Sequence, residues 1–488
     1  MPPLLRPDHA AMLVLPPRQG TLAATCDVLV VGGGPAGLGA AIGAAQAEAR
    51  TVLVERYGFL GGNATASLVM PLMSFHTQHT HREIKGDTSL VPTDHGPGDP
   101  VLAGVLAVFL KRLVEAGGAI APTLQTGYVV PFDPEIFKLT ALEMLDEAGV
   151  EYLFHAFASG VIKDADAVTS VIFETKSGPV VIRAKVTIDA TGDGDIAFGA
   201  GAPYELGRAE DGLVQPMTLM FRMGDFEKER FDHFIKEHPD QWRGVHGLWK
   251  LIQEAIQSGE LKLERDDLLF FATPHPDEVS VNSTRVKKVS GIDVWDLSYA
   301  EWESRRQMKQ IVRFLRRHVP GFEKAYNLQS GSTIGVRETR RIMGEYRLTA
   351  DDVLSARKFP DVIARCTYPL DIHDPKGTGT LLQRLPPGES YDIPLRCLIP
   401  KGVEGLLVAG RCISGTHETH SSYRVMPVAM ATGQAAGACA ALASRRELQP
   451  RQVPWQEVQN ELLRQGADLR DIRSQRMPDS SASKGAPL

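Results

Sequence analysis

The chain is poor in cysteine, the residue of iron–sulfur centres, disulfides and redox dithiols. Five cysteines, Cys26, Cys366, Cys397, Cys412 and Cys439, are scattered over 488 residues without a CxxC pair. That spacing disfavours zinc and iron–sulfur centres, a disulfide framework and a redox dithiol, and leaves structural thiols as the expectation. Long hydrophobic runs are also lacking. No apolar stretch approaches the ~20 residues that span a bilayer. The N-terminal run over 10–15 is too short for a signal-peptide core. A basic stripe is absent too: 53 Lys and Arg stand against 59 Asp and Glu, giving a net charge of −6 with the signs interspersed. That balance argues against nucleic acid as a partner. A cytoplasmic protein that engages neither membrane nor nucleic acid is expected, and 43% hydrophobic residues suffice for a large core.

What the chain does have is glycine in a particular order. Residues 27–55 read DVLVVGGGPAGLGAAIGAAQAEARTVLVE. An apolar strand runs into Gly32, Gly34 and Gly37, spaced GxGxxG; a small-residue helix follows, then a second apolar strand ending on Glu55. Gly32 permits the tight turn, Gly34 lets backbone approach a pyrophosphate, and Gly37 lets helix and strand pack closely. Pro35 and Ala36 open the helix, whose N-terminal N–H groups suit phosphate. Glu55 is placed to accept from ribose hydroxyls. A second segment, Gly192, Gly194 and Ala197, has GxGxxA spacing, but Asp193 and Asp195 would set carboxylates against phosphates. A separate NAD(P)H domain is therefore not expected.

The periodicities predict an α/β fold: a Rossmann-like dinucleotide-binding domain built from discontinuous segments (25–75, 130–205 and 401–446), with an inserted α+β substrate domain over 206–400. Residues 1–24 read as an arm, 76–129 as a lid and helical insertion, and 471–488 as a disordered tail. Helices are expected over 102–114, over 300–318, over 427–444, and from the Asp133 N-cap and Pro134 to Gly149.

Two further segments bear on the cofactor. Arg56 follows the ribose acid, and GFLGGNAT over 58–65 brings a second glycine pair so soon that backbone must lie close to a long ligand. Near the other end, GLLVAGRCIS precedes RVMPVAMATGQAAG. Pro427 suits the first turn of a helix whose positive end would face the pyrimidine edge of a flavin.

These blocks, with TIDATGDGDIAFGAGAPYELGR, GVRETRRIMGEYRLTADDV, YPLDIHDPKG and YDIPLRCLIP, resemble the FAD-dependent oxidoreductase family of the glutathione-reductase-like superfamily. The branch is the one with GG-x-A-T after the ribose acid, and the resemblance covers most of residues 25–445. It implies FAD, with Gly32, Gly34 and Gly37 at the pyrophosphate and Glu55 at the adenosine ribose. Gly61, Gly62, Asn63 and Ala64 would line the path to the flavin, Thr191, Gly192 and Asp193 the adenine side, and Gly410 and Arg411 the ribityl chain. Arg411 departs from the pattern, since many members carry an acid there; the ribityl contact must be made differently.

The chemistry needs groups that orient a substrate and manage protons. His417 and His420, in THETH just before the flavin-facing helix, are candidates for a general base, or for a hydrogen bond to the cofactor. Arg424 suits a reduced flavin or an anionic substrate, or else an ion pair with Glu418. Alternation would put Arg337 and Arg341 on one face as a carboxylate clamp; ion pairs with Glu338 or Glu345 are the alternative. Asp371 and His373, two apart, would form an acid–base pair if on a strand, or Asp371 would anchor a turn. Tyr368, Tyr391 and Arg396 share these blocks. His76, His79 and His81 lack the spacing of a designed metal site and read as a solvent-exposed lid, so no metal is expected. Cys412 and His417 are the nearest groups for covalent flavin attachment, which nothing in the sequence establishes.

The expected activity is that of a dehydrogenase or oxidase passing hydride from a small polar or anionic substrate to flavin. The electron acceptor is unnamed, and a homodimer is left open. The rivals are an NAD(P)H-dependent flavin monooxygenase and a non-catalytic FAD-binding partner protein.

Overall fold

The computed structural model describes residues 3–4, 6–7, 13–73, 75–78, 84–91, 98–123, 129–377 and 379–470. Its centre is a seven-stranded sheet. Strand Thr21–Val31 pairs in parallel with Thr51–Val54 on one side and with Gly178–Asp189 on the other. Glu151–Leu153 continues the sheet beyond Thr51–Val54, and Leu406–Val408 joins the end of Gly178–Asp189, both in parallel. Ala167–Thr175 and Phe157–Asp164 extend it as an antiparallel meander. Val28 to Val31 and Thr51 to Val54 are buried, as strands covered on both faces must be. The first strand begins at Thr21, inside the expected arm, because its ladder with residues 180–183 extends that far.

Helices Pro35–Gln46 and Met426–Arg446 cross on one face of this sheet with unusual closeness. A β-carbon on Gly39 would collide with the Met430 carbonyl, one on Gly433 with that of Ala36, and one on Gly437 with that of Ala40. The small-residue composition of both helices is what this crossing demands. Among the described residues Met426–Arg446 alone has the length and composition to cross a membrane, and the whole of that apolar window is buried in the protein.

Helix Pro134–Ala148 follows its sequence signals closely. The Asp133 side chain accepts from the Glu135 and Ile136 N–H groups, and Gly149 closes the helix in the left-handed conformation. Helix Val105–Glu115 packs on it through Phe109 and Phe137, with ring centroids 4.5 Å apart.

A second body has its own core. Six strands form an antiparallel sheet in the order Tyr326–Ser330, Phe221–Gly224, Val279–Val281, Leu268–Ala272, His246–Gly247, Trp242–Arg243. Phe226, Phe231, Trp242, Phe270 and Phe322 fill one side of it, alongside Ile311, Phe314 and Leu315 from helix Val294–His318. This core spans 221–325 plus Leu90, a narrower body than 206–400. Val362, Cys366, Leu370, Tyr391 and Ile393 belong to the main core instead. The strands of four of them, Val362–Cys366 and Tyr391–Pro394, pair with each other. A change of composition along the chain cannot reveal that partnership.

The expected histidine lid needs correction at His76, which is fully buried and bridges to Pro100. His79, His81 and the 471–488 tail lie outside the described residues. Among the described residues no group of three or more His, Cys, Asp or Glu is placed to hold a metal ion.

Candidate active site

The carboxyl ends of the parallel strands open into a trough of about 380 Å³, lined by Gly32, Gly34, Pro35, Ala36, Glu55, Arg56, Gly62, Asn63, Thr191, Gly192 and Arg411. This is where open α/β sheets take their ligands. Gly32 has φ +104°, closed to other residues by the Ala190 carbonyl. Gly37 leaves no room for a β-carbon against the Gly32 carbonyl. Gly34 differs: a β-carbon there would find no protein atom nearer than 3.7 Å, so its bareness faces the trough. No side chain caps the helix that begins after it, which leaves the first-turn N–H groups to a ligand.

Glu55 Oε2 accepts from Gly33 N–H at 2.6 Å and Oε1 from Tyr57 N–H at 2.9 Å. Burial raises its pKa, and those backbone donors oppose the rise. A carboxylate keeps further lone pairs for a hydroxyl. The second glycine pair folds beside the first: Gly61 N–H donates to Gly33 O at 2.8 Å, and Gly62, at φ +51°, sits against Gly34. Gly37, Gly61, Ala64, Gly410 and Pro427 lie behind the trough and shape it without lining it. Gly410, at φ +77°, donates its N–H to Thr432 Oγ1 at 3.1 Å, and Pro427 sits in the first turn of Met426–Arg446.

The GxGxxA segment opens onto this same trough through Gly192, Asp193 and Asp195. Its helix N-terminus is already served by the protein: Asp189 Oδ2 accepts from the N–H groups of Ile196 and Ala197, each at 2.9 Å. Burial pushes the Asp189 carboxyl up to about 6. Arg411 lines the trough and pairs with Asp193 Oδ1 at 2.6 Å. The positive charge of Arg411 is thus met by an acid 218 positions away in the sequence.

A second cavity, about 170 Å³, shares Asn63, Val336, Arg411, Arg424 and Met426 with the trough. Arg337 reaches into it, its Nη1 donating to Pro216 O at 2.7 Å and Thr218 Oγ1 at 2.6 Å. Burial, followed by the charge of Arg424, pulls the Arg337 pKa down to about 9. His373 Nε2 stands 3.7 Å from Asp371 Oδ2, which also accepts from Tyr368 Oη at 2.8 Å. Both groups sit on strand Leu370–His373. Burial, then Arg337 and Arg424, hold His373 well below the usual imidazole range, so it is neutral.

Several expected groupings do not occur. His417 and His420 line neither cavity. His417 is buried, with Nδ1 2.9 Å from Glu338 Oε1, and His420 packs edge-on against Tyr423. Helix His417–Tyr423 turns their side chains into the core. The Arg337–Arg341 clamp is split, because the backbone is irregular until strand Arg340–Ile342 begins. Arg341 is spent on Glu338 and on the carbonyls of Gly207 and Gly415. Arg424 approaches Asp371, at 3.9 Å, rather than Glu418. Tyr391 bonds Ser422 in the core and Arg396 pairs with Asp361. Cys412 is buried away from both cavities, where burial pushes its thiol pKa well up.

Sequence reasoning missed Tyr57, Ile334, Val336 and Met426 in the trough, and Met70, Phe271 and Asn282 in the second cavity. Met426 and Val336, adjacent to Pro427 and Arg337, were within reach of it; the apolar wall carried no local pattern.

A dinucleotide-binding α/β fold with a side cavity bordering the trough is the architecture of a protein that holds a nucleotide cofactor beside a second ligand. The chain belongs to the FAD dependent oxidoreductase family, whose model matches residues 27–462; it is an enzyme and its cofactor is FAD. It is similar to thiamine thiazole synthase of Aeropyrum pernix, 31% identical over 198 residues, a match spanning 40% of this chain and 63% of that one. Similar solved structures include a geranylgeranyl bacteriochlorophyll reductase-like protein of Thermoplasma acidophilum (14% identity, 91% of this chain and 84% of that one, TM-score 0.43). Another is p-nitrophenol 4-monooxygenase of Pseudomonas putida DLL-E4 (10% identity, 91% and 85%, TM-score 0.43).

Proposed function

We propose that the enzyme oxidises a small polar or anionic organic molecule bound in the second cavity. The observation that carries this reading is the shared wall of Asn63, Val336, Arg411, Arg424 and Met426, which brings a ligand in one cavity against a ligand in the other. FAD, when bound, supplies the two-electron acceptor for hydride lost by the substrate. The residues that would hold it are Gly32, Gly34, Pro35 and Ala36 for phosphate and Glu55 and Arg56 for ribose. Gly62, Asn63, Thr191, Gly192 and Arg411 would serve the rest, within the frame set by Gly37, Gly61, Ala64, Gly410 and Pro427.

The chain's own side chains supply orientation and proton handling. Arg337 and Arg424 orient a polar or negative group. His373, neutral in the resting protein, accepts the proton released as a hydroxyl or amine is oxidised, and Asp371 beside it stabilises the imidazolium. Val69, Met70, Met220 and Phe271 keep water from the cavity.

The test is anaerobic mixing of the flavin-loaded protein with a panel of hydroxy acids, amino acids, alcohols and amines, followed by visible absorption. Bleaching by one class, slowed at least tenfold in His373→Asn, is expected. Rapid bleaching by NAD(P)H alone would instead favour a monooxygenase.

A further inference from the structure

We propose that the second cavity is a receptor for a monocarboxylate with an apolar body, anchored by Arg337. This rests on the oxidative reading above and names the substrate class.

The charges that line this cavity do not balance. Among the described lining residues, the cations are Arg337, Arg411 and Arg424, and the anion is Asp371. Arg411 is already matched by Asp193 at 2.6 Å. Arg424 has Asp371 at 3.9 Å, and its buried Nε has no hydrogen-bond partner among the described residues. Arg337 has two neutral acceptors, Pro216 O and Thr218 Oγ1, both on Nη1. Those bonds fix the plane of the guanidinium and leave its remaining donors without a described partner. One positive charge is therefore left over in the lining. An enclosed charge without a counter-charge is costly, and a single carboxylate both neutralises it and matches the guanidinium fork.

The surroundings sharpen the choice. His373 does not cancel the excess, since it is neutral. Arg265 and Arg285 bias it the same way, the first paired with Asp267 and the second donating to the carbonyls of Asp374 and Gly379. The lining also includes Met70, Pro71, Met73, Met220 and Phe271, which offer no hydrogen-bonding side chain, beside Asn63, Thr218, Tyr368 and Asn282, which do. A dianion would leave one of its charges without a counter-charge. A carboxylate with a hydrocarbon or aromatic body satisfies both ends.

The test uses the flavin-loaded protein with benzoate and butanoate as probes, and with benzamide, benzyl alcohol and butanamide as neutral partners of the same shape. Binding is read by calorimetry and by perturbation of the flavin spectrum. Carboxylates are expected to bind at least tenfold tighter than their amides. Arg337→Met should erase that preference, Arg337→Lys should keep part of it, and Arg396→Met, at a residue that lines neither cavity, should leave it intact. Amides that bind as well as acids, no binding of either acid, or an unchanged preference in Arg337→Met would each overturn the proposal. Should Arg337→Met not fold, the acid-to-amide ratio of the wild type and of Arg337→Lys decides alone. Bleaching by neutral alcohols without any carboxylate preference would sink this inference and spare the oxidative reading. An Arg337-dependent preference with no bleaching by any substrate class would do the reverse.

Discussion

Arg411 Nη2 donates to Asp193 Oδ1 at 2.6 Å, in a pair whose partners are only 13% and 14% exposed. Asp193 also accepts from Thr339 Oγ1 at 2.9 Å, and Arg411 Nη1 donates to the same hydroxyl at 3.1 Å. Removing one partner strands the other in a poorly solvated wall. Asp193→Ala and Arg411→Met should each cost about 3 kcal/mol of stability. The double variant should cost less than the sum by at least ~1 kcal/mol. Urea denaturation of all four proteins measures the coupling; additive costs would show that the pair is not a unit.

Gly34 and Gly37 should separate cofactor binding from folding. A β-carbon at Gly34 meets only the trough, and the backbone there, at φ −72°, suits any residue. Gly34→Ala should fold with a thermal midpoint close to that of the cofactor-free wild type, yet lose at least tenfold in FAD affinity. Gly37→Ala drives a methyl into the Gly32 carbonyl and should lose folded yield as well. Fluorescence titration with FAD, beside thermal melts, distinguishes the two.

The helix crossing is a third target. Gly433→Val would push its side chain into Ala36 backbone, a strain beyond the ~1–3 kcal/mol typical of overpacked cores. A lower midpoint together with faster FAD loss is expected, because the same helix carries Met426 and Ala429 to the trough. Arg445→Val, on an exposed position of that helix, is the control and should change little.

His420 predicts acid sensitivity. It is fully buried, both ring nitrogens lack a described partner, and burial, then Arg341 and Arg424, hold its pKa well below 6.5. Below that ordinary value the unfolded chain binds a proton that the folded chain refuses. Stability therefore falls as pH drops through about 6.5, by up to about 1.4 kcal/mol per pH unit for one group. Above it this contribution is constant. His420→Leu should lose less of its thermal midpoint than the wild type between about pH 7.5 and about pH 5.5. An identical loss would mean that other groups set the acid limb.

The nucleotide motif was legible because its code is local. Strand, turn, helix and ribose acid are set within thirty residues by glycine spacing and apolar runs, and the Asp133 cap announces itself in the same way. Asp371 and His373 stood two apart, so a strand was enough to bring them to one face. Distant partnerships were not legible. Glu338 takes His417 out of reach of the cavities across 79 positions of sequence, and no pattern inside THETH foretells it. The Arg337–Arg341 pairing assumed a regular strand where the backbone bends. Arg411 seemed an exception for lack of its partner, since Asp193 lies 218 positions away.

The crossing of Pro35–Gln46 with Met426–Arg446 also has a meaning for how the enzyme is made. The glycine motif leaves the ribosome well before Arg411, Met426 and Ala429, which complete the trough. A nascent chain can fold its first strands and still have nowhere to keep a flavin. The trough therefore cannot be complete until the segment carrying Met426 and Ala429 has been synthesised.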